Sequence, residues 1–599
     1  MVTNKYITRI ASVIMAAAVI LCLMASLFSD KLQEVYGNNA VTMKYESKLF
    51  NTDQIMDIDI LMDEDDWNNM LKNAISEEYY SCNVVVNGKT FYSVGIRPKG
   101  NTSLSSIVND PDTDRYSFKL EFDHYIEGQT CYGLDKLILN NNYADATYMK
   151  EAIVYDMYQY LGVDASLYNY AKISVNGDYQ GVYLALEAVE DSFMLRNYGT
   201  ENGNLYKPES MGVGGGVDGK DGDGWQMGEK PDGEDFPQKG EMPDGEDFPQ
   251  KGEMPDGEDF PRKGEMPDGE DFPQKGEMPD RDNIPQMGEA PNGEAADIKM
   301  GIMGGNGGAD LNYTDDDLDS YSTIWDGEIT DTDEKDHKRV VEALKNISEG
   351  TDLETYMDVD NILKYMAVHT FVVNDDSLSG TMAHNYYLYE YNGKLNILPW
   401  DYNLSFSGMS MGGKMGGQSL GATSVINDAI DTPFSITDFF DALLENEEYL
   451  EQYHGYLNEL VEKYVNGGEF EKTYERIRSQ IDDLVGNDPT AFYSYEEYEE
   501  AANMLIEVVQ LRAKSVSGQL AGTIPSTDEG QQQDSSNLID GSDIDLSVMG
   551  SFSGGGGGNE GQGKDNGFAG TPQPFDAGDV SQTSEEKADL QDSNQDSVK

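Results

Sequence analysis

Cysteine, histidine and basic residues are all scarce in this chain. Its 599 residues include 3 Cys and 5 His, and 41 Lys and Arg stand against 111 Asp and Glu. The net charge of −70 argues against nucleic acid as a partner, because a phosphate backbone is held by Lys and Arg. Cys22, Cys82 and Cys131 form no CxxC pair and no cluster with histidine, so a structural zinc site is not expected. No HExxH or comparable histidine pair occurs. Cys82 and Cys131 could pair outside the cell, but nothing in the sequence demands it. Hydrophobic residues make up only 38% of the chain and Gly numbers 63, which points to folded parts diluted by long unstructured ones.

One long apolar run is present. Lys5 and Arg9 precede residues 10–28, which are apolar except for Ser12 and Ser26. That length is close to the roughly 20 residues that span a bilayer as a helix. The basic flank stays cytoplasmic, so the remainder is expected outside the membrane, on a bacterial cell surface or secreted. No small-x-small cleavage site follows at once, and an uncleaved membrane anchor is therefore expected over a removed signal peptide.

Two stretches read as folded. In 43–208, Ile55-Met56-Asp57-Ile58-Asp59-Ile60 alternates like a half-buried strand. Asn87-Gly88 and Asn176-Gly177 each sit between strand-like runs as hairpin turns. Residues 116–122 and 134–140 add strands. Residues 145–161 read as a helix with Met149, Ala152, Ile153, Met157 and Leu161 on one face and Asp145 at its start. In 309–521, helices are expected over 333–346 and 353–373, the second broken near Asp358 and Asp360. A hairpin over 385–398 turns at Asn392-Gly393, and helices dominate 436–520.

Between these blocks the composition changes. Gly228, Gly240, Gly252, Gly264, Gly276 and Gly288 are each 12 residues apart, and most open a unit close to Gly-Glu-Met-Pro-Asp-Gly-Glu-Asp-Phe-Pro-Gln-Lys. Regular Pro and Gly prevent helix and ladder formation, so 209–308 is expected to be a disordered acidic insertion. Residues 522–599 read as a disordered Gly/Ser/Asp-rich tail, and 407–421 as a flexible Met/Gly loop. The acid clusters Asp218, Asp221, Asp223 and Asp315, Asp316, Asp317, Asp319 lack EF-hand spacing.

Chemistry concentrates in one window. Val373-Asn374-Asp375-Asp376-Ser377 precedes the strand-like His384-Asn385-Tyr386-Tyr387-Leu388-Tyr389, and Leu398-Pro399-Trp400-Asp401-Tyr402-Asn403 follows. A carboxylate beside a buried strand is costly unless it binds something. One Asp orienting a hydroxyl, with a second Asp and an Asn holding Mg²⁺ against a nucleotide phosphate, would use such a set.

The chain resembles the CotH kinase family, the spore coat protein H type of atypical protein kinase. The resemblance spans both blocks. It rests on Gly95-Ile96-Arg97-Pro98-Lys99-Gly100-Asn101-Thr102-Ser103, Ser117-Phe118-Lys119-Leu120-Glu121-Phe122, Leu139-Asn140-Asn141-Asn142-Tyr143-Ala144-Asp145, Met149-Lys150-Glu151 and Val175-Asn176-Gly177-Asp178-Tyr179-Gln180-Gly181. It continues through Asn204-Leu205-Tyr206-Lys207, Asn374-Asp375-Asp376-Ser377, Asn385-Tyr386-Tyr387 and Trp400-Asp401. It implies an α+β, two-lobed protein-kinase-like fold, with a strand-rich N-lobe, a helix-rich C-lobe and the repeat insertion between them.

The resemblance also implies roles. Asp376 would be the catalytic Asp, and Asp401 a ligand of Mg²⁺, with Asn385 as a second. Lys119 would grip the ATP phosphates and be positioned by Glu151. Gly100, Asn101 and Ser103 would cover the phosphates, and Glu187 would lie near the adenine. Two positions depart from the family pattern. Lys99 stands where a second Arg is usual, and Asn403 replaces the second acid of Trp-Asp-x-Asp, where an amide can still ligate Mg²⁺ without charge.

The resulting expectation is an Mg²⁺- and ATP-dependent kinase acting on Ser or Thr of exported, surface or spore-coat proteins. A second reading on the same fold is a catalytically weak or inactive adhesion or envelope protein that engages a cell-wall or host surface partner.

Overall fold

The computed structural model describes residues 41–208, 308–380, 383–406, 421–434 and 436–552, all within one compact unit. The apolar run 10–28, the 12-residue repeats, Asp218, Asp221, Asp223, the loop 407–420 and the chain beyond 552 lie outside the described residues. Among the described residues no helix is long and apolar enough to cross a membrane.

The strands are β1 (Met56–Leu61), β2 (Tyr80–Val86), β3 (Lys89–Lys99), β4 (Ser117–Glu121), β5 (Lys136–Asn140), β6 (Tyr168–Val175), β7 (Asp178–Glu187), β8 (Asn204–Tyr206), β9 (Tyr386–Tyr391) and β10 (Lys394–Pro399). The main helices are α1 (Glu64–Lys72), α2 (Thr102–Val108), α3 (Lys150–Leu161), α4 (Asp191–Tyr198), α5 (Glu334–Ser348), α6 (Val359–Val372), α7 (Glu447–Glu459), α8 (Glu469–Gly486) and α9 (Tyr495–Leu520).

Three Asn-Gly pairs set three hairpins. Asn87 and Gly88, Asn176 and Gly177, and Asn392 and Gly393 all have positive φ, as a type I′ turn requires. They fix the registers of β2–β3, β6–β7 and β9–β10. The alternation in β1 turns Met56, Ile58 and Ile60 inward.

The strand-rich block closes on itself. Its order is β1-β2-β3-β4-β5-β7-β6, and β1 pairs parallel with β6 from Met56↔Ala171 to Ile60↔Val175. This corrects the expectation of a plain kinase-like N-lobe: the sheet is a closed seven-stranded barrel. Closure pairs both edges, which removes exposed N–H and C=O rows. Ile58, Ile60, Val84, Ile96, Phe118, Leu120, Leu137, Leu139 and Ile173 fill the interior.

The outer face of β5, β7 and β6 carries Ile138, Leu184, Leu186, Tyr168 and Tyr170, which join α3, α6 and α9 in a second core. Each buried Leu or Ile of this kind contributes roughly 1.5–3 kcal/mol. The second core therefore begins on the barrel wall and is not confined to the helical block. β8, at the end of the first block, pairs with β9 of the second in the sheet β10-β9-β8.

Helix boundaries follow local chemistry. Asp333 and Asp336 form a capping box at α5. The break expected near Asp358 is present, and Asp358 caps α6. The helix expected from 145 starts only at Lys150, because Asn142, Ala144 and Tyr148 adopt positive φ. Asp145 does serve that start: its carboxylate accepts the Thr147 and Lys150 N–H groups, both at 3.0 Å. The tail expected from 522 is structured as far as 552. It includes a short helix Asp528–Gln533 and a turn Leu546–Met549 whose Met549 is buried. Cys82 and Cys131 are both buried and unpaired.

Candidate active site

Two loops of the helical block bring acids to the barrel. The helix α6 ends at Val372 with Val373 as its C-cap, and Asn374, Asp375 and Asp376 follow. β10 ends at Pro399, and Trp400 and Asp401 follow. The backbone here is unusual. Val373, Ala383, Asn385 and Asp401 have φ between 47° and 58°, a region disfavoured for any residue with a Cβ and most for β-branched Val. Strain of this kind persists only where the surroundings over-determine it, and it gathers at functional sites.

Buried hydrogen bonds supply that determination. His369, on α6, meets Tyr402 Oη at 3.0 Å through Nδ1, and Ser379 Oγ at 2.8 Å and Ser377 Oγ at 3.2 Å through Nε2. Ser377 Oγ in turn donates to the Asn374 carbonyl at 2.8 Å. One imidazole thus joins the residue after Asp376 to the residue after Asp401. Burial pushes its pKa down to about 3, so it acts as a neutral brace.

Asp376 is held from two sides. His384 Nε2 lies 2.7 Å from its Oδ1, and Asn385 Nδ2 donates to its Oδ2 at 3.1 Å and to its carbonyl at 2.8 Å. Asp401 lies within the field of Asp376, Lys99, Lys207 and His384. Burial first, and then Asp376, raise its pKa, while Lys99, Lys207 and His384 oppose the rise. Asn374 Nδ2 reaches the Asp401 carbonyl at 3.4 Å.

The barrel contributes the third acid and the cations. Glu151, in the first turn of α3, accepts from Asn140 Nδ2 at 2.8 Å. Its pKa is pushed up to about 8, by burial and then by Asp401. Lys99, at the end of β3, donates to Asn140 Oδ1 at 3.3 Å, and its Nζ stands 5.5 Å from the centre of the Trp400 ring. Arg97 and Lys119 are cross-strand partners on the same barrel face. Both are salt-bridged, Arg97 to Glu77 and Lys119 to Glu190.

Among the buried oxygens of the described residues that lack a partner are Oε1 of Glu151 and Oδ1 of Asn374. An orphaned acceptor beside a carboxylate whose pKa is raised by another carboxylate is a setting that a cation relieves. Among the described residues no group of three or more His, Cys, Asp and Glu forms a ready-made metal cluster. The donors still suit Mg²⁺, which keeps waters and phosphate oxygens and needs only one or two carboxylates.

The sequence-derived residues divide. Asp376, Asp401, Glu151 and Asn385 come together, with Asn385 serving Asp376 through its amide nitrogen. Asn403 Nδ2 donates to the Tyr143 carbonyl at 3.1 Å, which ties its loop to the α3 entry. Gly100 has φ 130°, and with Asn101 and Ser103 it forms the turn from β3 into α2, directly after Lys99.

Two of the sequence-derived residues have other charged partners. Lys119 pairs with Glu190 at 3.0 Å, and the cation that acts on Glu151 is Lys99. The reason is strand register, which places Lys119 opposite Arg97 and Ile138 and leaves Lys99 nearer the α3 entry. Glu187 is fully buried. Its carboxylate accepts from Tyr45 Oη at 2.5 Å, Arg196 Nη2 at 2.6 Å and the Leu167 N–H at 3.1 Å. It therefore braces the interior. Sequence reading also passed over His369, His384 and the Asn374 side chain. Their signal was only adjacency to Asp376.

Asp376 and Asp401 thus form an acid pair within the field of Lys99 and Lys207. The chain belongs to the CotH kinase protein family, whose family model matches residues 96–258 and 276–516. No curated protein matches the chain.

The raised Glu151 pKa has a consequence for stability. The folded chain holds a proton at Glu151 that the unfolded chain, with an ordinary pKa of 4.5, has already released. Stability is therefore expected to fall as pH rises from about 4.5 to about 8 and to level off above that. Glu151→Gln should flatten this slope in denaturation melts across that range. An unchanged slope would show that Glu151 titrates normally.

Proposed function

We propose that the protein transfers the γ-phosphoryl group of ATP to Ser or Thr hydroxyls of exported, surface or spore-coat proteins, with Mg²⁺ as the cofactor. The observation that carries this reading is that Asp376, Glu151 and Lys99 all lie close enough to one another or to Asp401 to act on their charges. Asp376 is pinned by His384 and Asn385 so that its carboxylate orients the acceptor hydroxyl and takes its proton. The new bond joins the hydroxyl oxygen to the γ-phosphorus, the bond from that phosphorus to the β–γ bridging oxygen breaks, and ADP departs.

Asp401, the orphaned oxygen of Glu151 and Asn374 Oδ1 are the groups suited to hold Mg²⁺. When bound, the cation would neutralise charge on the phosphates. Lys99 offers its ammonium to the phosphate oxygens, and Lys119 with Glu190 lines the barrel side of the same face. Restriction of the substrate to exported proteins rests on the apolar run 10–28.

The test is transfer of label from γ-labelled ATP by the full chain, with Mg²⁺ and a Ser-rich protein. Label on Ser or Thr is expected. No label on any protein, with surface binding intact, would favour the adhesion or envelope reading.

A further inference from the structure

The family match ends at residue 516, yet the chain stays packed for another 36 residues. Beyond α9 it runs back across the helical block. The Asp431 N–H donates to the Ser526 carbonyl at 2.8 Å, and the Ile539 N–H reaches Asn427 Oδ1 at 2.9 Å. Its tip then meets the loop that enters α3. The Ala146 N–H donates to the Met549 carbonyl at 3.1 Å. The fully buried Lys150 Nζ donates to the Gly550 carbonyl at 3.5 Å. Met549 is 1% exposed, and the Phe552 ring stands 6.2 Å from that of Tyr143.

That entry loop is not self-sufficient. Asn142, Ala144 and Tyr148 all hold φ near 60°, a cost the surroundings must offset. The same loop gives the carbonyl of Tyr143 to Asn403, two residues after Asp401, and delivers Glu151 one residue after Lys150. The contact is close: a Cβ on Gly550 would stand 2.7 Å from the Ala144 carbonyl oxygen and 2.8 Å from the Ala146 nitrogen.

We propose that residues 523–552 are an intramolecular strap whose tip, Met549 and Gly550, positions the Glu151 end of α3 for nucleotide binding. This rests on the reading that Glu151 faces the metal–nucleotide site. Met549 and Gly550 are positioning residues and touch no reacting group.

The test uses the full chain with Gly550→Val, and separately Met549→Asp. The first measurement is hydrogen exchange of the 150–154 amides, which needs no ligand. Both variants should exchange there at least roughly tenfold faster than the unaltered chain, with β1–β3 unchanged. Equal rates overturn the strap whatever the protein's activity. The second measurement is Mg-ATP affinity by calorimetry, where the variants should bind roughly tenfold more weakly. Added peptide 540–552 should restore binding to a chain ended at 539, an outcome that a general loss of fold would not give. Variants that bind like the unaltered chain overturn the positioning role. An unaltered chain that binds no nucleotide defeats the underlying reading, and the exchange result then decides the strap separately.

Discussion

Replacing Asp401 by asparagine is expected to abolish phosphoryl transfer, lowering kcat/KM by about a thousandfold or more. The size follows from what the residue does. In the proposed function its carboxylate holds the divalent cation, and removal of one such electrostatic contribution from a closed site costs on the order of 10²–10³ in rate. Loss of the metal itself deepens the effect. Stability should not fall, because the substitution removes a carboxylate that burial and Asp376 already disfavour. Steady-state kinetics and thermal melts on the same preparation check both halves. A variant with normal turnover would remove Asp401 from the machinery.

The second large effect is expected at Lys99 and not at Lys119. Lys99→Met should lower kcat/KM by about a hundredfold, because the charge of Lys99 acts on both Asp401 and Glu151. Lys119→Met should cost less, since Lys119 is committed to Glu190 and Lys136 also contacts that Glu190. The comparison is sharp because the two lysines lie on one barrel face. Kinetics in which Lys119→Met is the more damaging would return the phosphate-gripping role to that residue and refute the register argument.

The difference between those lysines shows where sequence reading stopped. Both are cations on strands, and only the pairing of β3 with β4 and the approach of α3 decide which one meets Glu151. The acids were legible because Asp376 and Asp401 sit beside apolar runs, where a carboxylate needs a purpose. The hairpins were legible because Asn-Gly turns act locally. Barrel closure was not, since β1 and β6 are more than a hundred residues apart and alternation says nothing about the partner strand. The strap was hidden for a compositional reason. Residues 523–552 are rich in Ser, Asp, Gln and Gly, and few apolar side chains mark their docking, with Met549 at the tip. The Tyr45 and Arg196 partners of Glu187 were not legible either, because they come from distant or adjoining segments that only the fold brings to its carboxylate.

The proposed function requires one physical property: that the residues around Asp401 bind a nucleoside triphosphate through a divalent cation. Isothermal titration of the full chain with ATP, with and without Mg²⁺, measures this before any protein substrate is known. Saturable binding that requires Mg²⁺ and disappears in Asp401→Asn is the predicted result. Heat traces identical to buffer for the unaltered chain at millimolar Mg-ATP would contradict it.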